Sequence, residues 1–340
     1  MRADRWLAAA PTFMAALHDN PVCIVDVGCA GGIDPTWAAI DAPGMLRFVG
    51  FEANPEQFHV LPPEPRARYL NTAISDTVGE LDFFARSTVG SLQRRHERER
   101  QGETFDRIRV PATTLAHLRI DGVVPSLDVL KIDVEGHELP VLRGAGQHIA
   151  DETVAIKLEF SFAGADGFAA LHTFLRERDF ALFGLSYSQN LLGEIYGGDA
   201  LYLRSLDSLV AGPNARDRVR KALAHAIWLR QHDYARLGAA RAKDLGILSG
   251  AEVDEIVAIA DARVFLPDIL PALSLAGSHV LFALAQLAAG RSHRTKAAPK
   301  GNRLVRSPRL YVSTAMGWLR RRQAERTALL AERLRKSRGE

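Results

Sequence analysis

Short apolar runs alternate with amphipathic stretches over residues 22–203 of the 340-residue chain. Strands that alternate with helices indicate βαβ units and a mainly parallel sheet. A loop without helical spacing separates the last two apolar runs, which predicts a hairpin and an antiparallel final strand. The predicted strands are VCIVDVG, LRFVGFEA, ARYLNTAI, GELDFFA, LDVLKID, TVAIKLEF, FALFGLSYS and DALYLRS, and the predicted helices between them are DPTWAAIDA, NPEQFHVL, ELPVLRGA and FAALHTFLRERD.

The pattern changes after residue 206, where the chain becomes rich in alanine and arginine at helical spacing. Ser249 followed by Glu252 forms a capping box before an apolar run, which is typical of a helix start. We therefore expect three parts. Residues 1–205 form the α/β domain, in which residues 1–20 are an N-terminal helix. Residues 206–290 form an all-helical appendage, and residues 291–340 form a basic linker with an amphipathic C-terminal helix.

Charge is distributed unevenly, although the whole chain carries only +3. Residues 291–340 contain fifteen Lys or Arg against three Glu, a net charge of +12, so the preceding 290 residues carry −9. Cys23 and Cys29 are the only cysteines, which excludes a disulfide framework and favours a reducing cytoplasm. No secretory leader is expected at the N-terminus, and the longest apolar stretch, AGSHVLFALAQLAAG, is too short to predict a membrane span.

A glycine-rich turn joins the first strand to the first helix in IVDVGCAGG, where Asp26 precedes Gly28, Gly31 and Gly32. Glycines let the backbone approach a ligand without a Cβ clash. Glu52 ends the next strand about twenty residues later, where a carboxylate can accept both hydroxyls of a ribose. A dinucleotide would require G-x-G-x-x-G, and a carboxylate before the turn suits a sulfonium or ammonium ligand. The turn therefore favours S-adenosylmethionine over NAD.

The segments DVGCAGG, GFEANP, LNTAISD, LDVLKIDVEGHELPVLRGA and GDALYLR, in this order and spacing, resemble FkbM-type methyltransferases over roughly residues 20–205. The resemblance implies the class I (Rossmann-like) methyltransferase fold, with a mostly parallel seven-stranded sheet and helices on both faces. It also implies an S-adenosylmethionine-dependent O-methyltransferase for sugars, cell-surface glycans or secondary metabolites. The cofactor-binding residues that follow from it are Asp26, Gly28, Cys29, Gly31, Gly32, Glu52, Ala53, Ile74 and Asp133.

Three polar residues, Asp133, Glu135 and His137, follow the apolar run LDVLKI. Ligands of open α/β sheets bind beyond the carboxyl ends of the strands, so these residues are candidates for binding, orienting or deprotonating an acceptor hydroxyl. A second interpretation is Mg²⁺ held by Asp133, Glu135 and Glu159, since this ion prefers carboxylate oxygens. Glu138 is expected to stabilise the start of the following helix.

The acceptor is expected to contact Ser91, Glu159, Tyr187 and Gln189. Ser91 belongs to STVGSLQRRHERER, a polar and basic segment that is a candidate substrate lid or a solvated helix face. Asn190 follows Gln189 in the same loop.

Three functions compete: an O-methyltransferase for a hydroxylated small molecule or glycan, a nucleic-acid methyltransferase, and a non-catalytic scaffold recruited to membranes. Base-methylating enzymes carry an Asn/Asp-Pro-Pro-aromatic clamp where this chain has DVEG, which argues against nucleic acid. The basic helix in residues 291–340 predicts peripheral contact with an anionic membrane, at the inner surface of the cytoplasmic membrane. The alternatives are packing on the helical appendage or on a partner chain in a homo-oligomer.

Overall fold

The computed structural model describes residues 10–264, with gaps at residues 39, 41–43, 87–88, 93–103, 163–165, 190–192 and 212–213. The predicted basic tail in residues 291–340 lies outside the described residues, and so do most of the predicted lid and Asn190. None of the described helices is long and apolar enough to cross a membrane.

The strands follow the predicted alternation with helices. They are β1 (Val22–Val27), β2 (Leu46–Phe51), β3 (Ala67–Leu70), β4 (Ala73–Ile74), β5 (Gly79–Arg86), β6 (Val89–Ser91), β7 (Asp106–Thr113), β8 (Val129–Ile132), β9 (Ala155–Ser161), β10 (Phe180–Leu185), β11 (Ser188–Gln189) and β12 (Ile195–Arg204). The helices are α1 (Pro11–Asp19), α2 (Pro35–Ala38), α3 (Pro55–His59), α4 (Leu115–Ile120), α5 (Glu138–Gly144), α6 (His148–Asp151), α7 (Phe168–Arg176), α8 (Leu206–Ala211), α9 (Ala215–Trp228), α10 (His232–Asp244) and α11 (Gly250–Val264).

The main sheet has the strand order β10-β12-β9-β8-β1-β2-β3, with the short β11 paired to β12. Five adjacent strands of this sheet run parallel, namely β9, β8, β1, β2 and β3. Strand β12 is antiparallel to both β9 and β10. This order, with one antiparallel strand beside the edge, is that of the class I methyltransferase fold. The predicted seven-stranded, mostly parallel sheet and its antiparallel last strand are therefore confirmed.

A second sheet, β4-β7-β5-β6, was not expected. The sequence predicted ARYLNTAI as a single strand, but the chain changes sheets in its middle. The Asn71 side chain donates to the carbonyl of Glu52 at 2.7 Å, and the Thr72 hydroxyl donates to the carbonyl of Pro111 at 3.0 Å. The first bond lies where β3 of the main sheet ends, and the second lies where β4 of the small sheet begins.

Side chains of β1 alternate between two hydrophobic cores, one on each face of the main sheet. Val22 and Ile24 pack in the core that includes residues of α1, α9, α10 and α11. Cys23, Val25 and Val27 pack in the core that includes residues of α4, α5 and α7. Helices therefore cover both faces, as predicted for a parallel sheet.

The first of these faces is covered in an unusual way. The helices that follow β1 and β2 are only four and five residues long, too short to cover the sheet. Helix α1 and the helices after residue 206 do so instead. The indole nitrogen of Trp37 donates to Nε2 of the fully buried His225 at 3.3 Å, and the carboxylate of Glu255 accepts from the amide of Phe13 at 2.8 Å.

Candidate active site

A cavity of about 380 Å³ opens where β1, β2 and β8 end. We call it the strand-end cavity. Its volume is within the range of small-molecule sites. The predicted site residues that line it are Gly28, Gly31, Gly32, Glu52, Ala53, Ile74, Asp133 and Glu135. The cavity therefore lies at the sheet edge that the sequence indicated, since the carboxyl ends of parallel strands share one edge.

The glycine turn leaves room for a ligand because its backbone takes conformations that other residues avoid. Gly28, Gly31 and Gly32 have φ angles of +82°, +81° and +107°. A Cβ on Gly28 would lie 1.8 Å from the carbonyl oxygen of Asp133, whereas a Cβ on Gly31 would meet nothing within 4 Å. Gly28 is thus required for the close approach of β1 and β8, and Gly31 borders open space.

Glu52 is held at the end of β2 by backbone contacts. Its Oε1 accepts from the amide of Asn54 at 2.8 Å, and the Asn71 side chain binds its carbonyl. The residue is only 6 % exposed, and this burial raises the pKa of its carboxyl group. A carboxylate fixed in this way at the wall of a cavity is suited to accept hydrogen bonds from a diol.

Asp26 lies beneath the cavity and does not line it. Its side chain is 1 % exposed, with Oδ1 3.1 Å from Nζ of Lys131 and Oδ2 accepting from the amide of Asp34 at 3.1 Å. Burial raises the pKa of Asp26 to about 6, although Lys131 and the Asp34 amide act in the opposite direction. The ammonium of Lys131 thus already pairs with Asp26, and the predicted contact of Asp26 with the ligand stays a prediction.

Lys131 is the functional candidate that the sequence analysis missed. Its ammonium donates to the carbonyl of Gly28 at 2.7 Å and lies 3.6 Å from the carboxylate of Asp133. Burial lowers the pKa of Lys131, but Asp26 and Asp133 outweigh this and raise it. Lys131 therefore ties the glycine turn to β8 and stays charged. The detectable signal was a lysine inside the otherwise apolar run LDVLKI.

The loop after β8 holds its carboxylates in a fixed arrangement. Glu135 has a φ of +57°, a left-handed conformation that costs a non-glycine residue energy. Oε1 of the buried Glu138 accepts from the amides of Val134 and Gly136 at 3.2 and 3.0 Å. The hydroxyl of Ser91 donates to the carbonyl of Glu135 at 2.9 Å. Glu138 thus stabilises the loop directly before α5, and Ser91, which is 2 % exposed, supports it from β6.

Asp133 and Glu159 come together because β8 and β9 are paired in parallel. The register aligns Lys131 with Lys157, so residues two positions further on are also neighbours on the same face. The two carboxyl groups are hydrogen-bonded, and burial together with the charges of Asp133 and Glu135 raises the pKa of Glu159 to about 8. Burial and the neighbouring carboxylates thus favour the protonated form of Glu159, the form that can donate a hydrogen bond to Asp133.

The other predicted site residues do not line the strand-end cavity. His137 precedes α5, with Nε2 2.9 Å from the hydroxyl of Ser75, and burial lowers its pKa. Cys29 is buried with its sulfur against Gly50. Tyr187 is 62 % exposed beyond β10, and the side chain of Gln189 is outside the described part of the chain. Their predicted roles stay predictions.

The described residues do not support the predicted Mg²⁺ site. Among them, no group of three or more His, Cys, Asp or Glu side chains is arranged to hold a metal ion.

The small sheet supplies a wall of the cavity that was not predicted. Thr72 lies directly before β4, and Ala73 is its first residue. Phe83 belongs to β5, and Gly90 belongs to β6. Gly90 packs directly on the Phe83 ring, since a Cβ there would lie 2.3 Å from it. A ligand in the cavity would therefore lie between the main sheet and an apolar hairpin.

Comparisons with known proteins agree with this architecture. Residues 26–182 match the family model described as the methyltransferase FkbM domain. The search of curated proteins gave no match.

Solved structures of low similarity include three methyltransferases. A precorrin-6y C5,15-methyltransferase from Geobacter metallireducens is 11 % identical, with a TM-score of 0.31 over 57 % of this chain and 87 % of that one. An rRNA methylase from Streptococcus thermophilus is 10 % identical, with a TM-score of 0.30 over 56 % and 93 %. The magnesium protoporphyrin IX methyltransferase of Synechocystis PCC 6803 with bound SAM is 12 % identical, with a TM-score of 0.29 over 59 % and 80 %. The strand order of the main sheet is that of the class I methyltransferase fold, and residues 26–182 are similar to the methyltransferase FkbM domain.

Proposed function

We propose that the protein is an S-adenosylmethionine-dependent O-methyltransferase that methylates a hydroxyl of a sugar, a cell-surface glycan or a secondary metabolite. The observation that carries this proposal is the hydrogen-bonded pair of Asp133 and Glu159 at the end of β8, where Asp133 lines the strand-end cavity. A carboxylate at that position can accept the proton that an alcohol must lose.

The residues around the cavity fit S-adenosylmethionine. We expect Glu52 to accept hydrogen bonds from the two ribose hydroxyls, and Gly31 borders open space in the same cavity. Ala53, Ile74 and Phe83 offer apolar contacts for an adenine ring. When bound, this cofactor supplies an electrophilic methyl group. The ammonium of Lys131 holds the floor of the cavity in place. Because Asp26 already neutralises this ammonium, we do not expect it to bind the ligand's carboxylate.

The proposed reaction is an in-line displacement in which Asp133 orients the acceptor hydroxyl and takes its proton. The bond from methyl to acceptor oxygen forms as the bond from methyl to sulfur breaks. The raised pKa of Glu159 favours its protonated form, which can support the carboxylate of Asp133 by a hydrogen bond. Lys131, at 3.6 Å, stabilises the charge of that carboxylate.

The test is transfer of labelled methyl groups from S-adenosylmethionine to cell-envelope polysaccharide and small-molecule extracts, with and without nuclease. We expect a nuclease-resistant product whose label survives mild base, because methyl ethers are stable there and methyl esters are not. Asp133→Asn should lose at least 100-fold in kcat, as expected for a lost general base, and remain folded. Asp121→Asn, an exposed aspartate outside the cavity, is the matched control.

A label that nuclease removes, or that mild base releases as methanol, would contradict the O-methyltransferase proposal. Adding EDTA and then Mg²⁺ to the same assay decides whether a metal takes part. The cytoplasmic location, the homo-oligomer and the contact of residues 291–340 with anionic membranes stay predictions, and sedimentation of the full chain with anionic vesicles at low and high salt tests the last of them.

A further inference from the structure

A second cavity, of about 290 Å³, lies at the opposite edge of the main sheet. We call it the Arg218 cavity. It is lined by residues at or before the beginnings of three parallel strands, namely Cys23 of β1, Arg47 of β2 and Asp128 before β8, and by residues of α9. Since β1 spans six residues, about 20 Å of strand separates it from the strand-end cavity. It is therefore a separate site.

The guanidinium of Arg218 in this cavity lacks the contacts that a buried cation needs. Arg218 is only 5 % exposed, and its Nε and Nη2 atoms have no hydrogen-bond partner among the described residues. A buried polar group without a partner costs about 1–3 kcal/mol, and more when it is charged. Burial also lowers the pKa of Arg218, which is the effect of a desolvated positive charge.

Two of the other three basic residues that line the cavity are paired, unlike Arg218. Arg119 is paired with Glu152 at 2.9 Å, and Lys221 with the buried Asp128 at 2.8 Å. Arg47 is exposed at the rim and, like Arg218, forms no ion pair within the described part of the chain.

The lining holds four acidic residues beside its four basic ones, so its formal charge is balanced, and pairing decides which groups are free to bind a ligand. Asp217 binds the side chain of Asn20 at 3.2 Å and pairs with Arg220 at 3.6 Å. Asp151 accepts from Gln147 at 3.2 Å and, although its charge acts on Arg218, it forms no hydrogen bond with it in the described structure. Arg47 and Arg218 are thus the basic lining residues without an ion-pair partner among the described residues, and only the longer-range charge of Asp151 acts on Arg218.

We propose that the Arg218 cavity binds a small-molecule oxyanion, a phosphate or carboxylate group, through the guanidinium of Arg218. The planar fork of an arginine matches both groups with two parallel hydrogen bonds. The bound oxyanion would supply the partners that Nε and Nη2 lack. Arg47 adds positive charge at the entrance, and the volume leaves room for a single such group with a small substituent.

The experiment is calorimetric titration of the full chain with inorganic phosphate, and separately with acetate, at an ionic strength held constant with sodium chloride. Wild type should give saturable binding of at least one of the two probes. Arg218→Met should bind neither, and Arg218→Lys should bind at least 10-fold more weakly because it keeps the charge but loses the fork. Arg216→Met, an exposed arginine on the same helix, is the matched control and should bind as wild type does.

Thermal unfolding in buffer free of oxyanions supplies a second readout. Arg218→Met should unfold at or above the wild-type Tm there, because it removes a desolvated charge that has no partner, and phosphate should raise the Tm of wild type only. Binding of phosphate alone assigns a phosphate-bearing ligand, and binding of both probes assigns oxyanions in general. Absence of binding to wild type, equal affinity in Arg218→Met, or a Tm of Arg218→Met below wild type without oxyanions would each overturn the proposal.

Discussion

Replacing Glu159 with glutamine should change how the stability of the protein depends on pH. In the folded protein, burial and the neighbouring carboxylates hold the pKa of Glu159 at about 8, against an ordinary value of 4.5. Between these two values the folded protein keeps a proton that the unfolded chain releases. The free energy of unfolding that Glu159 contributes is therefore fully present below pH 4.5 and is lost as the pH rises towards 8.

The size of this loss follows from the two pKa values. One pKa unit corresponds to about 1.4 kcal/mol, so the loss between pH 5 and pH 8 is on the order of 4 kcal/mol. Glutamine is uncharged throughout this range. We expect the free energy of unfolding of Glu159→Gln to fall less than that of wild type between pH 5 and pH 8, by on the order of 4 kcal/mol, and the variant to be the more stable protein at pH 8.

Urea unfolding followed by tryptophan fluorescence measures this difference, since Trp37 and Trp228 are buried in the core. Glu177→Gln is the matched control, because that side chain is 66 % exposed after α7. Parallel pH profiles for wild type and Glu159→Gln would refute the reasoning, since they would mean that Glu159 ionises in the native protein as it does in the unfolded chain.

Three further predictions concern the cavity floor, the ribose site and the helical region. Lys131→Met should destabilise the protein by about 3–5 kcal/mol at pH 8, because it leaves the buried Asp26 unpaired. Chemical denaturation should show a smaller loss of stability at pH 5, where Asp26 can take up a proton, and the double variant Asp26→Asn/Lys131→Met should recover most of the lost stability. Glu52→Ala should weaken the binding of S-adenosylhomocysteine by about 1.5–3 kcal/mol in calorimetry, whereas Glu56→Ala, exposed on α3, should not, and equal affinities would remove Glu52 from the site. A chain ending at residue 205 should lose cooperative thermal unfolding, because the face of the sheet that packs on α9–α11 becomes exposed, whereas a chain ending at residue 264 should unfold cooperatively. A cooperative transition in the shorter chain would show that the sheet folds alone.

The order of the main sheet could be predicted because its signals are local. Alternating elements and the helix-free loop before the last strand are visible within windows of ten to twenty residues. The strand-end position of Glu52 and Asp133 then follows from topology alone, since parallel strands end at one edge. The small sheet was missed because β7 contains Pro111 among alternating charges, a pattern that also suits a loop.

The ion pair of Asp26 with Lys131 could not be predicted from the sequence because it depends on pairing between distant residues. The register places Asp26 opposite Lys131 across 105 positions of sequence. A strand that is buried on both faces has no periodicity to indicate that its single lysine is paired beneath a cavity. Sequence spacing identified which residues lie near the ligand, but the distinction between a cavity wall and its floor required the fold.

The arrangement of helices over the sheet has a consequence for how the protein is made. Every described residue that lines the strand-end cavity is encoded before residue 136, yet one face of the sheet is covered by α9–α11, which end at Val264. During synthesis the ribosome releases the nascent chain from its N-terminus, so the catalytic half emerges with an apolar face still bare. The strands of the sheet end at Arg204, so about 60 further residues must emerge before α9–α11 can cover that face, and apolar surface exposed during this interval favours aggregation.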